Sequence, residues 1–331
     1  MYELFLDTIR ANQNNVTGNL PMNVPAGIPS RPEDISWTAA YPLISNWLLL
    51  YCGDLGVVRE HWPTLKLFMD GQKQQMTSKC RSRCTPDGIP NYWSCGDWCA
   101  VESRALATPN TGPPASAANF VLALEAMVDM ADALGEKQDQ DKYSSWLESY
   151  RKSYDTIYWN SNFTSYGLTA LETQTMSSVA LGAGVVPSAK ETAVRHALTA
   201  DIQQRDHHLT VGATGQKWLL RMLTAGSAAE HDTALKIATQ DTFPGWGYWV
   251  SQGATTCWES WSGVQDPSHP AAGDRPINPP THNRETDPHD SRGEASVTRA
   301  RARTHTQQDI QRTPKATLLL SRLLCALLLS C

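Results

Sequence analysis

From Ala271 to Cys331 the chain has no tryptophan, tyrosine or phenylalanine, although the residues before it hold all 12 Trp, 10 Tyr and 5 Phe. That stretch is rich instead in Pro, Arg, Thr and His, which bury too little apolar area to offset the entropy of ordering. We therefore expect residues 269–331 to form a disordered Arg/Pro-rich tail and residues 1–268 to carry the fold. A long apolar run is missing too. The closing TLLLSRLLCALLLSC, from Thr317, spans 15 residues and contains Arg322, whereas a bilayer crossing takes ~20, so no membrane association is expected. No secretory leader is visible at Met1, where Tyr2 to Gln13 reads as the middle of an amphipathic helix. The compartment stays open.

Cationic excess is lacking where the fold should lie. The chain carries 28 Lys+Arg and 33 Asp+Glu, of which 9 basic and 6 acidic residues follow position 270. The body is therefore acidic and only the tail is basic. An acidic body cannot offer the cationic face that displaces counterions from nucleic acid, so no nucleic-acid partner is expected. The tail admits three readings, a basic arm, a linker or a segment foreign to the parent fold, and the last fits best. Cys-x2-Cys knuckles are absent as well. Among eight cysteines, the pairs Cys80-x3-Cys84 and Cys95-x3-Cys99 are separated by Pro86, Gly88 and Pro90, which weighs against a zinc site. Free thiols or a disulfide in a surface insertion suit the spacing better, and no metal or cofactor is expected. Asn15-Val-Thr and Asn162-Phe-Thr fit the glycosylation pattern, which matters only in a secreted protein.

What is present is helical patterning, with no alternating strand signal from Met1 to Asp266. Trp37, Tyr41, Ile44, Trp47, Leu48 and Tyr51 recur at spacings of three and four, predicting one helix that stops at Cys52-Gly53-Asp54. A second is expected from about Val57 to Met76, with Pro63 tolerated in an early turn. Residues 86–114 read as a long loop holding CGDWCAVE, and long loops in compact domains are often functional. Phe120, Leu124, Met127, Ala131 and Leu134 form one stripe, and Tyr143, Leu147, Tyr150, Tyr154 and Ile157 a facing one. Together they make a hairpin joined through Gly135 to Lys142. Shorter helices follow in ETQTMSSVALGAGVVP, around Val194, Leu198 and Ile202, from Gln216 to Leu223, and around Leu235, Ile237 and Ala238. About nine helices in pairs, with short and long loops alternating, imply an all-α toroid whose long loops gather at one mouth.

The stretch with most chemistry is FPGWGYWVSQGATTCWESW, residues 243–261, which places four of the 12 Trp around one carboxylate, Glu259. Indole faces suit the C–H faces of a sugar, and a carboxylate in a partly dry pocket can take a proton from an attacking water. The plainer alternative is that the aromatics are core and the glutamate solvated.

HLTVGATG at 208–215, PGWGYW at 244–249 and GATTCWESW at 253–261 resemble, in order, motifs of the bacterial-type α-L-rhamnosidases, glycoside hydrolase family 78. LDTIRANQ, SWTAAYP, YCGD and CGDW upstream do the same, so the resemblance covers residues 1 to about 268. It implies an (α/α)6 toroid, of which nine helices would leave both ends incomplete. It implies inverting hydrolysis of terminal α-L-rhamnosides, with Glu259 as general base and a rhamnosylated glycoside or polysaccharide as partner. Inverting enzymes separate their two carboxyl groups by ~6.5 to 9.5 Å to admit a water. The family's general acid lies in an Arg- and Glu-containing motif ahead of anything matching Leu6-Asp7-Thr8, so activity is expected to be impaired. The resemblance also implies that Trp37 and Trp98 line the sugar pocket and that Asp97 binds a hydroxyl. Trp246 and Trp258 are further candidate walls with structural alternatives, and His208 is a candidate hydroxyl donor or a loop tie. Glu172 is weaker, since it stands where a helix begins. A non-catalytic sugar-binding remnant and another (α/α)6 glycosidase remain as alternatives.

Overall fold

The computed structural model of the chain describes residues 1–25, 34–78, 94–101, 112–167 and 169–262. The boundary expected at 268, the tail beyond it, Cys80, Cys84 and the closing glutamate of CGDWCAVE, Glu102, lie outside the described residues. Among the described residues there are helices and no strand, apart from an isolated bridge between Asn160 and Ser165. The all-α expectation holds.

In chain order the helices are α1 (Tyr2–Ala11), α2 (Ile35–Thr38), α3 (Ala40–Cys52), α4 (Leu55–Ser78), α5 (Gly112–Leu134) and α6 (Lys137–Tyr158). A 3-10 turn at Ala170–Glu172 precedes α7 (Thr173–Gly182), followed by α8 (Ser188–Gln204), α9 (Ala213–Thr224), α10 (Ala228–Ala238) and α11 (Trp246–Ser251). Eleven helices thus stand among the described residues where about nine were expected. The helix predicted from Trp37 is split at Ala39 into α2 and α3, and α11 forms where no helix was predicted. Gly53 ends α3 in the left-handed region, φ +66°, as its position in the sequence implied. The predicted stripe of α3 is real at Tyr41 and Ile44, which are buried, but Tyr51 faces solvent. Pro63 lies well inside α4 rather than in its opening turn; beside it, the Thr64 hydroxyl donates to the His61 carbonyl. The hairpin turn is tighter than predicted, because α6 already begins at Lys137.

Successive hairpins build an arc. α3 packs on α5, α5 on α7 and α7 on α9, while α4, α6, α8 and α10 each return along the helix before them. Burial separates the two layers. On α5 every residue from Pro114 to Leu124 is buried, and on α7 every residue from Thr173 to Ala180. On α8 only Val194, Leu198 and Ile202 are buried, one face of an outer helix. The inner helices α5 and α7 therefore bury residues on all sides, more than the single stripe that periodicity predicts for α5. Connections from inner to outer helix are short, as at 53–54, 135–136 and 225–227, whereas those from outer to inner are long, as at 12–34, 159–172 and 205–212. The long connections consequently meet at the N-terminal ends of the inner helices, and this end is the mouth.

Candidate active site

Asp97 organises the mouth. Its carboxylate is 1% exposed and accepts the backbone N–H groups of Gly212 (2.7 Å), Thr214 (3.0 Å) and Gly215 (3.0 Å), together with the Thr175 hydroxyl. Thr214 and Gly215 open α9, whose first N–H groups have no partner within the helix, so an anion here satisfies them and meets the positive end of the helix dipole. Burial pushes the Asp97 carboxyl above the ordinary aspartate value, and the four donors pull it back. Gly212 is required by closeness: a Cβ there would stand 2.1 Å from the Trp98 carbonyl oxygen. Further bonds join the same two loops, from Ala213 N–H to the Trp98 carbonyl (2.8 Å) and from the Thr214 hydroxyl to the Gly96 carbonyl (3.1 Å).

The tryptophan-rich turn is fastened to that pair. Trp261 Nε1 donates to the Val211 carbonyl at 2.7 Å, and Trp249 Nε1 donates to the Trp261 carbonyl at 2.9 Å. The Trp249 and Trp261 rings stack with centroids 4.6 Å apart. So fixed, the turn brings Glu259 to Trp98, whose Nε1 donates to Glu259 Oε1 at 2.9 Å. Glu259 itself is exposed and Trp98 half-buried. Residues 161 positions apart in sequence are thereby joined. An exposed carboxylate braced by an indole is held in place and is of a type that can polarise a water.

The other candidates divide. Trp37, on α2, is 37% exposed, and its neighbour Ser36 lies 3.3 Å from the Ser94 hydroxyl, beside the Gly96-Asp97-Trp98 loop. Asp97 does not present a free oxygen for a sugar hydroxyl; its four donors make it a tie between loops. His208 is likewise a tie: Nδ1 contacts the Arg205 carbonyl at 2.8 Å and Nε2 the Thr242 hydroxyl at 2.8 Å, so neither ring nitrogen is spare for a ligand. Trp246 and Trp258 are only 6% and 8% exposed. Trp246 meets Trp261 edge-on and Trp258 packs against Trp249, so both rings are used in holding the turn rather than as open walls. Glu172 accepts the Thr169 N–H in a capping box of the 3-10 turn, the helix-start role expected for it.

Two residues that matter here were not read from the sequence. Asp34 is fully buried, caps α2 through Ser36 N–H and also accepts Cys95 N–H at 2.8 Å, tying α2 to the loop of Asp97. Its signal was available, since an aspartate directly before Ile-Ser-Trp is a helix-start residue. Gln174 accepts Thr210 N–H at 2.9 Å and donates to the His208 carbonyl at 3.2 Å, holding the 208–215 loop on α7. No local pattern announces a glutamine in that role. Among the described residues the one metal-competent cluster is Asp7, Glu60 and His61. It lies on α1 and α4, and Arg10 already bridges its two carboxylates at 2.7 and 2.8 Å.

An arc of helical hairpins with a loop-built mouth and an indole-braced carboxylate places the chain among the helical-ring glycosidase domains. Residues 1–285 match the family described as the bacterial alpha-L-rhamnosidase 6 hairpin glycosidase domain. An alpha-L-rhamnosidase of Formosa agariphila is 26% identical over 263 residues, which cover 78% of this chain and 26% of that protein. One of Streptomyces avermitilis is 32% identical over 170 residues, 51% of this chain and 15% of that protein. Among solved structures, the alpha-L-rhamnosidase from Dictyoglumus thermophilum superposes with a TM-score of 0.68 at 26% identity, covering 80% of this chain and 28% of the other. The Streptomyces avermitilis enzyme complexed with L-rhamnose gives 0.64 at 26% identity, covering 79% and 23%. The chain belongs to the bacterial α-L-rhamnosidase six-hairpin glycosidase family. It covers between 15% and 28% of the length of these relatives.

Proposed function

We propose that the chain derives from a hydrolase of terminal α-L-rhamnosides in which Glu259 is the general base and Trp37 and Trp98 border the sugar. The observation that carries this is the Trp98 Nε1 to Glu259 Oε1 hydrogen bond of 2.9 Å, which sets the one carboxylate of the tryptophan-rich turn against the Gly-Asp-Trp loop at the mouth. Inversion follows if Glu259 takes a proton from a water that attacks the anomeric carbon while a second carboxyl protonates the departing oxygen. Asp97 is unsuited to be that acid. Four donors point at its oxygens, and a proton there would have to displace one of them.

We further propose that the chain alone turns over slowly, because Asp97, the buried carboxyl beside Trp98, is committed to its four donors. The test is rhamnose release from an aryl α-L-rhamnoside. Slow release that falls by a further ~10² to 10⁴ in Glu259→Gln supports the reading, the range general-base removal commonly costs. Release indifferent to that substitution sinks the assignment of Glu259, and fast release by the parent chain sinks the impaired reading. The rhamnose-bound relative motivates the choice of sugar.

A further inference from the structure

Asp34 stands where three separate segments of the chain meet. It caps α2 and is fully buried. Its Oδ1 accepts the Ser36 N–H at 2.9 Å and the Ser116 hydroxyl of α5 at 3.5 Å, while its Oδ2 accepts the Cys95 N–H at 2.8 Å. Serine hydroxyls repeat the junction: Ser36 Oγ lies 3.3 Å from Ser94 Oγ and 3.4 Å from Ser116 Oγ, and Ser94 Oγ accepts the Gly96 N–H at 3.1 Å. A buried carboxylate is stable only with its donors in place, so the segments cannot drift apart freely.

Each backbone group that Asp34 holds lies close to an indole. Ser36 directly precedes Trp37, and Cys95 opens the Cys-Gly-Asp-Trp run that ends at Trp98. Asp97 fastens the Trp98 loop to the start of α9. The placement of that loop against α2 falls to Asp34 and the Ser36–Ser94 pair. A helix cap alone would not need an aspartate. Serine and asparagine cap as well, but serine is one bond shorter and asparagine has one acceptor oxygen where aspartate has two. Neither can hold the Ser36 and Cys95 N–H groups on separate oxygens.

We infer that Asp34 is a positioning residue that sets the gap between the Trp37 and Trp98 indoles, and thereby the fit of the sugar. Its effect on the sugar rests on the proposed function, in which these indoles border it; the link between the two indoles does not.

The test uses the whole 331-residue chain labelled with fluorotryptophan, the Trp37 and Trp98 fluorine signals being assigned by Trp37→Phe and Trp98→Phe. In Asp34→Ser, which keeps a cap on α2, the Trp98 signal should move although the substitution lies on another segment. L-rhamnose should shift both signals in the parent, and Asp34→Ser should need about tenfold more sugar for half the change, within the ~10² that a ~1 Å misplacement can cost. Asp34→Asn should act in the same direction. Phe120→Ala, weakened in the core, should leave both signals and the half-point near those of the parent. Three results overturn the inference: a Trp98 signal unmoved in both Asp34 variants, an unchanged half-point for the sugar, or a Trp98 shift that Phe120→Ala reproduces. L-rhamnose that moves neither signal in the parent sinks a different reading, that of Trp37 and Trp98 as borders of the sugar, and the Asp34→Ser signals still decide the link between them.

Discussion

In the α5–α6 hairpin Phe120 and Tyr150 meet edge to face with centroids 4.9 Å apart, and Tyr143, Tyr154, Leu124 and Met127 around them are buried without exception. At the mouth, three loops from distant parts of the chain hang on a handful of polar atoms: the Asp97 carboxylate, the Trp261 indole N–H and the Trp98 indole N–H. The hairpin is held by area, which is shared among many side chains and tolerates imprecision in any one. The mouth is held by directed bonds, each of which sets the position of something else. Such a site can be exact at Glu259 while remaining open to solvent, but each tie is irreplaceable.

The contrast can be broken by substitution. Phe120→Ala should cost the most stability, ~3 to 5 kcal/mol, the usual range for emptying a buried aromatic site, read from the denaturant midpoint. KM for an aryl rhamnoside should stay near the parent value, since no residue of the mouth is touched. Asp97→Asn should cost less, ~2 to 3 kcal/mol, because its amide cannot accept all four donors and leaves buried N–H groups unpaired. Here catalysis should fall further than stability alone explains. If Asp97→Asn altered only the midpoint, the mouth would be no different in kind from the hairpin. Trp261→Phe keeps most of the ring packing and deletes one bond, so ~1 kcal/mol is expected, with a measurable loss of kcat as the turn bearing Glu259 loosens.

The smallest effect concerns pH. His61 on α4 is buried, with Nδ1 2.9 Å from the Tyr41 hydroxyl. Burial holds its pKa below the ordinary histidine value; Arg10 pushes the same way, and Asp7 and Glu60 oppose. Because the folded pKa is the lower one, the unfolded chain takes up the proton first as pH falls. The histidine's contribution is therefore complete above ~6.5, the unperturbed value, and is lost below it. Comparing unfolding midpoints at pH 7.5 and 5.5 for the parent and His61→Gln should show the parent losing more.

Much of the hairpin could be read in advance. Stripes at Phe120, Leu124 and Met127 and at Tyr143, Tyr150 and Tyr154 are core because helical spacing alone puts them on one face. The stop at Gly53 was legible for a similar reason, since a left-handed residue excludes most side chains. At the mouth the residue types were legible and their roles were not. His208, Trp246 and Trp258 look like ligand-facing groups in a list of residues, yet His208 is used by Arg205 and Thr242 and the two indoles by their neighbours. Asp97 looked like a sugar ligand, but its donors lie 78 to 118 residues further on.

What the amino-acid order determined by itself was the succession of amphipathic helices, the places where they stop and the family to which their motifs belong. These depend on interactions within a turn or two of chain. Only the tertiary structure decided which carboxylate is buried as a tie and which is left open beside an indole. That choice depends on which N–H groups arrive from other loops, and a buried anion is stable only where they do.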